Sequence, residues 1–452
     1  MTTTALPDLT REERRSVRIR WVLVGFLLLG GIVNYLDRSA LSVANTTIAE
    51  EFGLDPLEMG LLLAAFSWPY ALANLPAGYL VDRLGPRRMF AGAATAWSLV
   101  AVVTAAAQSF GVLYACRVAL GIAEAPFFTS ALAVNQRWFR SSERALPIAL
   151  VNTGSQIANA IAPPLLTVLL LTLSWRGMFV VVGATGIVVA LVWLRIYRDP
   201  TLAQRAVLAG LSTAPTTGPE PVAAAAAGAS DPASGASAES ARAGWTRLLR
   251  QPNTWFMVLG AFGIFYTSWV YLTWLPSYLQ TARGFSLTNV GWLAAVPFLC
   301  GVAGVLVGGA VSNLLILRGA PTLTARRIPI VGGAVLAAAA VLPVAFVDDT
   351  AVAIGLLSLG YFAAQVPVGC LWTLAADIAP PAQVASLGAI QNFGGFLGAA
   401  LAPVVTGAIL NATGGSYAWV FVVGGVLLLV GAVAYGVFVR DRSAAESPGA
   451  DA

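Results

Sequence analysis

Long apolar runs, separated by short polar stretches, make up most of the chain. A helix of roughly 20 apolar residues crosses the hydrocarbon core of a membrane, which is about 30 Å thick. Twelve runs reach this length and predict twelve transmembrane helices, at approximately residues 21–47, 57–81, 88–108, 110–133, 145–171, 176–197, 253–280, 288–317, 327–347, 350–376, 383–410 and 416–439. Because the first run is too long for the apolar region of a cleaved signal peptide, we expect it to span the membrane as well.

The composition supports an all-α membrane protein. Of the 452 residues, 58% are hydrophobic and 10% are charged, whereas soluble domains contain about 25% charged residues. The polar side chains are therefore too few to cover a water-facing globule of this size.

The side chains that are missing exclude several kinds of chemistry. The chain has no histidine, and all 26 of its basic residues are arginine. Schiff-base lysines, Ser-His or Cys-His nucleophile pairs and histidine metal sites are therefore not available. The three cysteines, Cys116, Cys300 and Cys370, lie in separate apolar runs. This spacing provides neither a disulfide framework nor a CxxC metal pair. The arginines are scattered rather than clustered on one face, which disfavours a nucleic-acid partner. We therefore expect a protein that is not an enzyme and needs no cofactor or metal.

The distribution of arginine predicts the orientation in the membrane. If both termini are cytoplasmic, the tails and loops on that side carry 22 of the 26 arginines. Arg176 and Arg283 lie on the opposite side, and Arg38 and Arg117 lie within helices. Because cytoplasmic loops are enriched in positive residues, we expect the N- and C-termini to be cytoplasmic.

The predicted helices divide into two similar groups of six. The predicted organisation is a cytoplasmic tail at 1–20, a six-helix half at 21–198, a cytoplasmic linker at 199–252, a second six-helix half at 253–440 and a tail at 441–452. Residues 211–243 contain no aromatic side chain, which is typical of a flexible linker. Several residues recur 240 positions apart, such as Asn152 with Asn392 and Pro163 with Pro403. Two pseudo-symmetric halves are typical of transporters that alternate access around a midplane site.

Specific motifs resemble a known family. The stretch from Gly78 to Arg88, GYLVDRLGPRR, resembles the G-x-L-x-D-R-x-G-x-[RK] signature loop of the major facilitator superfamily. The stretches NYLDRSALSVA (34–44), RVALGIAEAPFF (117–128) and SWRGMF (174–179) resemble its anion:cation symporter family. The resemblance implies a multi-pass protein of the bacterial inner membrane that takes up organic acids, such as aldonates, aldarates, hexuronates or aromatic carboxylates, together with protons. One departure is Asn313, where the loop of the second half more often carries aspartate.

Four ionised side chains fall well inside the predicted helices. These are Asp37 and Arg38 on the first helix and Arg117 and Glu124 on the fourth. A charge at the bilayer centre costs roughly 2.5–3.5 kcal/mol on insertion scales, so each needs a reason to be there. Arg117 and Glu124 share a helix face, with Gly121 between them leaving room for a ligand or a neighbouring helix. By helix rise, the two guanidiniums reach a similar level, and Glu124 is expected to lie deeper, near the midplane.

We assign functions to these four side chains by their chemistry. A guanidinium binds a carboxylate through two hydrogen bonds and keeps its charge, so Arg38 and Arg117 are the candidate substrate ligands. Without histidine or lysine, Asp37 and Glu124 are the groups left to carry the coupling proton. Protonation would release their hold on the arginines, which then bind the anion. The structural alternative is that Asp37–Arg38 and Arg117–Glu124 are ion pairs that only fix helix packing.

Further candidates lie on polar stripes and at a loop. The candidate substrate contacts besides the arginines are Tyr35, Tyr70, Gln156, Trp372 and Asn392. The candidate gating residues, which would stabilise the outward-open state and separate on opening, are Gly78, Asp82, Arg83, Gly85, Arg87 and Arg88. A tryptophan such as Trp372 is also typical of an interface anchor, and Asn392 is also explained as a helix-packing amide.

Other functions remain open on the sequence. An organic-anion exchanger is one alternative. An organic-phosphate exchanger would be expected to use a basic residue from each half, and the seventh helix has none. A proton-driven multidrug exporter is disfavoured, because two arginines facing the cavity would repel cationic drugs. A transporter-like sensor is not excluded by the sequence. The interpretation we favour is a monomeric proton:organic-anion symporter in the lipid bilayer.

Overall fold

The computed structural model describes residues 11–139, 145–201, 204, 248–378 and 384–439. Within these ranges, the side chains of residues 11–17, 75, 145, 372, 376 and 384–386 are not described. Most of the predicted linker at 199–252 and the predicted tail at 441–452 lie outside the described residues.

The described chain is helical almost throughout. Its first part contains α1 (Arg11–Val43), α2 (Asn45–Phe52), α3 (Pro56–Ala64), α4 (Ser67–Leu84), α5 (Pro86–Ala105), α6 (Phe110–Glu124), α7 (Pro126–Trp138) and α8 (Ala145–Ile196). Its second part contains α9 (Pro252–Ser277), α10 (Leu287–Leu317), α11 (Thr322–Val344), α12 (Thr350–Ile378), α13 (Val384–Ala412) and α14 (Ala418–Val433). Short π-helical turns extend α9 over Tyr278–Ala282 and α14 over Ala434–Phe438. The predicted all-α membrane fold is confirmed.

Among the described residues, ten helical segments are long and apolar enough to cross a membrane. One of them, Leu146–Ile196, would be about 77 Å long as a single straight helix, more than twice the hydrocarbon thickness. The chain breaks within it at Ser174, whose φ of 65° and ψ of 171° are not helical. The segment therefore crosses twice, and α3 with α4 forms a further crossing. The described helices thus account for the twelve predicted crossings.

The repeat seen in the sequence recurs in the packing of helices. A Cβ atom on Gly154 of α8 would lie 2.7 Å from the Leu28 carbonyl oxygen of α1. A Cβ atom on Gly394 of α13 would lie 2.5 Å from the Val258 carbonyl oxygen of α9. Glycine at both positions allows the backbones to approach closely, as small residues do between membrane helices. Equivalent helices in the two halves therefore pack in the same way.

The bundle has two ends, which we call the near end and the far end. The near end carries residues 84–86, 196–201, 248–252 and 318–321, and the far end carries residues 44–56, 106–109 and 278–286. One hydrophobic core contains residues of both halves, including Leu41 and Tyr271, and lies toward the far end. Toward the near end there are two cores, one around Trp193 whose fully buried members all belong to the first half and one around Leu374 whose members all belong to the second. The halves therefore meet at the far end and separate toward the near end.

Direct contacts between the halves agree with this shape. Within the described part of the chain, side-chain hydrogen bonds between the halves join Ser42 Oγ to the Thr273 carbonyl oxygen at 2.9 Å and Thr46 Oγ1 to Gln280 Oε1 at 2.7 Å. Both lie toward the far end. At the same end, α3 packs tightly on α13 through Gly60, which touches the Pro403 carbonyl group. The structure is therefore closed at the far end.

Candidate functional site

Arg38 of α1 and Glu124 of α6 form an ion pair inside the bundle. Arg38 Nε donates to Glu124 Oε2 at 2.6 Å, and the two side chains are 4% and 0% exposed. The contact satisfies only part of each group, because Arg38 Nη2 and Glu124 Oε1 are buried without a hydrogen-bond partner among the described residues. The pair therefore keeps unused donor and acceptor capacity.

Three aromatic rings surround the Arg38 guanidinium. The ring centroids of Tyr35, Phe66 and Tyr70 each lie 4.6 Å from Arg38 Cζ. A cation within about 6 Å of a ring centroid is attracted by the ring's quadrupole. Phe66 and Tyr70 also stack on each other, with centroids 5.4 Å apart. Arg38 is therefore held by one carboxylate and by three rings.

Arg117 lies close to Arg38 and has free donors. It is buried, and its Nη2 donates to the Arg38 carbonyl oxygen at 3.3 Å. Its Nε and Nη1 have no hydrogen-bond partner among the described residues. Its Cζ lies 5.9 Å from the Phe66 centroid, so Phe66 is near both guanidiniums.

Asp37 is the second buried carboxylate. It is 1% exposed, and neither of its oxygens has a hydrogen-bond partner in the described part of the chain. Both Glu124 and Asp37 interact electrostatically with Arg117. The direct ion pair joins Arg38 to Glu124, so neither pairing of the structural alternative, Asp37–Arg38 or Arg117–Glu124, forms an ion pair among the described residues.

A glycine explains why the rings reach Arg38. Gly121 lies between Arg117 and Glu124 on α6, and a Cβ atom there would collide with the Phe66 carbonyl oxygen and lie 3.1 Å from the Tyr70 nitrogen. The absence of a side chain lets the first turn of α4 rest against α6. The room that Gly121 leaves is therefore used by a neighbouring helix.

Tyr70 also connects the site to the second half. Its ring centroid lies 5.6 Å from that of Phe396 on α13. Asn392, half-buried, precedes Phe396 by one turn on the same helix. Gln156 on α8 is half-buried, and its Oε1 atom is buried without a partner among the described residues. The side chain of Trp372 lies outside the described residues.

The predicted gating residues lie at the near end. The four charged members of this group are exposed, namely Asp82, Arg83, Arg87 and Arg88. Gly78 is half-buried with open space beside its Cα. Gly85 has a φ of 78°, a conformation that favours glycine. Arg87 Nη2 donates to the Leu194 carbonyl oxygen at 2.6 Å, within the first half. No described contact of this group reaches the second half, as expected where the halves have separated.

Sequence reasoning missed Phe66 and Phe396. Both are apolar, so a search for charged and polar side chains passes over them even though each lies four residues from a candidate polar residue, Tyr70 or Asn392. The signal that could have identified Phe66 is its position four residues before Tyr70, on the face that α4 presents to the site.

Buried charges at the centre of a two-part helix bundle that is open at one end define a membrane transporter. The family model described as Major Facilitator Superfamily matches residues 27–403, and the chain belongs to that superfamily. Its members transport rather than catalyse, so the expectation that this protein is not an enzyme is confirmed.

Several known proteins are similar to the chain. The "Probable L-galactonate transporter" of Escherichia coli (strain K12) is 37% identical over 442 residues, covering 96% of this chain and 93% of its own. The "D-galactonate transporter" of Escherichia coli O6:H1 is 30% identical over 446 residues, covering 96% and 99%. The "Probable galactarate/D-glucarate transporter" of Bacillus subtilis (strain 168) is 30% identical over 411 residues, covering 88% of each chain.

A solved structure supports the fold. The crystal structure of a bacterial homologue of the human lysosomal transporter Spinster matches with a TM-score of 0.72 and 20% identity, covering 93% of this chain and 97% of that one. The predicted major facilitator fold is confirmed.

Proposed function

We propose that this protein is a proton-coupled symporter that imports a sugar acid across the bacterial inner membrane. The observation that carries the proposal is the buried Arg38–Glu124 ion pair, which has an unused donor on one side and an unused acceptor on the other. In the proposed mechanism, a proton that neutralises Glu124 releases Arg38, and the substrate anion then takes the place of the glutamate.

The orientation we propose follows from the arginines. The near end carries the exposed residues Arg83, Arg87 and Arg88, together with Arg195 and Arg198. Because positive residues are enriched on the cytoplasmic side, we assign the near end to the cytoplasm. The structure is then open to the inside, and the far end is closed toward the outside.

A sugar acid fits the proposed site because it combines a carboxylate with several hydroxyl groups. Arg38 and Arg117 would bind the carboxylate through their free N–H groups. Tyr35, Tyr70 and the amides of Gln156 and Asn392 would serve the hydroxyls. The relatives named as galactonate and galactarate/D-glucarate transporters support this class of substrate.

The proposed cycle is a competition between carboxylates for the same arginines. In the outward-open state, protons bind to Asp37 and Glu124, and Arg38 is released to take the substrate carboxylate. The loaded protein closes outside and opens inside, where protons and substrate leave. Glu124, ionised again, then recaptures Arg38, which is the arrangement seen in this inward-open structure. The proton is the coupling ion, and no organic cofactor takes part.

Uptake into proteoliposomes tests this proposal. The protein would be reconstituted with an acidic outside and an alkaline inside, and the uptake of labelled L-galactonate, D-galactonate and galactarate would be followed. We expect accumulation above equilibrium that a protonophore abolishes. Uptake that occurs only in exchange for a preloaded anion, and is insensitive to the protonophore, would instead support the exchanger.

A further inference from the structure

Phe66 occupies a special position among the rings around Arg38. It is 1% exposed, and its ring is the one that lies near both guanidiniums, at 4.6 Å from Arg38 Cζ and 5.9 Å from Arg117 Cζ. Unlike Tyr35 and Tyr70, it has no hydroxyl group and cannot exchange a hydrogen bond with a substrate. Phe66 therefore cannot act on a substrate through a hydrogen bond of its own side chain, and its closest charged neighbours are the two arginines.

The backbone fixes this ring in place. Phe66 is the last residue between α3 and α4, directly before α4 begins. Its carbonyl oxygen accepts a hydrogen bond from the Tyr70 nitrogen at 3.2 Å. The same carbonyl rests against Gly121, on the helix face that carries Arg117 and Glu124. The ring is thus anchored to the helix whose carboxylate holds Arg38.

The proposed cycle leaves Arg38 without a carboxylate partner for one step. When Glu124 is protonated and the substrate has not yet bound, the guanidinium keeps its charge inside the membrane. The three rings are then its remaining partners. They attract the cation through their faces and leave its N–H groups free for the substrate carboxylate. The guanidinium would otherwise be free to turn away from the position in which it meets the substrate.

From this geometry we infer that Phe66 is a positioning residue, whose ring holds the Arg38 guanidinium in place for the substrate carboxylate while Glu124 is protonated. The inference rests on the proposed function, because it assumes that Arg38 binds the substrate. It also explains why an aromatic side chain without a polar group lies at the centre of a polar site.

Fluorinated phenylalanines at position 66 test the inference. Successive fluorine atoms weaken the negative potential of the ring face with little change in its size. We expect the Kd of purified protein for D-galactonate to rise stepwise with fluorination, and Phe66→Leu to raise it about tenfold, equivalent to about 1.4 kcal/mol. Phe66→Tyr should stay within about twofold of the wild type, because it keeps the ring.

Phe127→Leu is the matched control. Phe127 is a fully buried residue of the same core, and its described ring neighbours include Phe90 and Trp97 rather than an arginine. We expect Phe127→Leu to change the melting temperature but not the Kd. If the wild type binds D-galactonate and fluorination leaves Kd unchanged, the inference is overturned and the proposed function stands. If the wild type binds none of L-galactonate, D-galactonate and galactarate, both fall together.

Discussion

Gly60→Ala should shift the protein away from the state that the structure shows. Gly60 on α3 touches the Pro403 carbonyl group on α13, across the far-end contact between the two halves. A Cβ atom there would approach the carbonyl oxygen more closely than 3.0 Å, a separation that real Cβ atoms essentially never show. Something must shift to accommodate it, and because the obstructing atoms belong to the backbone of the other half, we expect the halves to move apart at the far end. In a state that is open at the far end, the same methyl group would meet no such obstacle.

The size of the shift follows from the clash. The obstructing atoms belong to backbone, which cannot turn aside as the end of a flexible side chain can. Overpacking of this kind costs typically about 1–3 kcal/mol. Because the cost applies to one state, the equilibrium between inward-open and outward-open forms should move by about 5- to 150-fold.

Distance measurements between spin labels would detect this shift. Labels at the exposed far-end positions Glu50 and Asn411 report the separation of the halves, in a background without the native cysteines. We expect Gly60→Ala to increase the population with the longer distance. Gly92→Ala is the control, because a Cβ atom at Gly92 would have nothing within 4 Å. An unchanged distance distribution in Gly60→Ala would refute the idea that this contact exists only in the inward-open state.

Two further predictions concern charged side chains. Arg117→Gln should raise the Kd for the anionic substrate by at least about thirtyfold, because removing the arginine from its buried pair with the substrate carboxylate costs about 2–5 kcal/mol. Isothermal titration calorimetry would measure this Kd. The control is Arg195→Gln, which changes an exposed arginine and should bind the substrate as the wild type does. At the far end, hydrogen bonds from Trp175 and from Arg176 lower the pKa of Glu51. The ionised form therefore stabilises the fold above the ordinary glutamate pKa of about 4.3, and this contribution is lost as the pH falls through the lowered pKa. Melting temperatures measured against pH should fall less steeply on acidification in Glu51→Gln, and an identical slope would contradict the assignment.

Length and periodicity predict most of the fold. Twelve apolar runs correspond to the twelve crossings because the membrane imposes one length on each helix. The 240-residue repeat identifies equivalent helices, and the structure shows why it persists at Gly154 and Gly394, where only a small residue allows the helices to touch. The break at Ser174 falls between the predicted helices 145–171 and 176–197. The break between α3 and α4 lies inside the predicted run 57–81 and is a local backbone feature that hydropathy does not reveal.

The partners of the buried charges are harder to predict. Helical spacing identifies the side chains of one helix that share a face, but not the helix that lies opposite. The Arg38–Glu124 pair joins residues 86 positions apart on α1 and α6, a contact that depends on how the helices are arranged in space. Helix rise also places Glu124 deeper than the two guanidiniums, yet the long side chain of Arg38 extends far enough to meet it.

Replacing Glu124 with glutamine tests whether the Arg38–Glu124 pair carries the coupling proton. Glutamine resembles the protonated carboxyl group and cannot titrate, so Arg38 should stay available for the substrate but unable to couple to a proton. In proteoliposomes, we expect Glu124→Gln to exchange labelled D-galactonate with internal D-galactonate but not to accumulate it when a pH gradient is imposed. Accumulation by Glu124→Gln equal to that of the wild type would contradict the assignment of proton coupling to the Arg38–Glu124 pair.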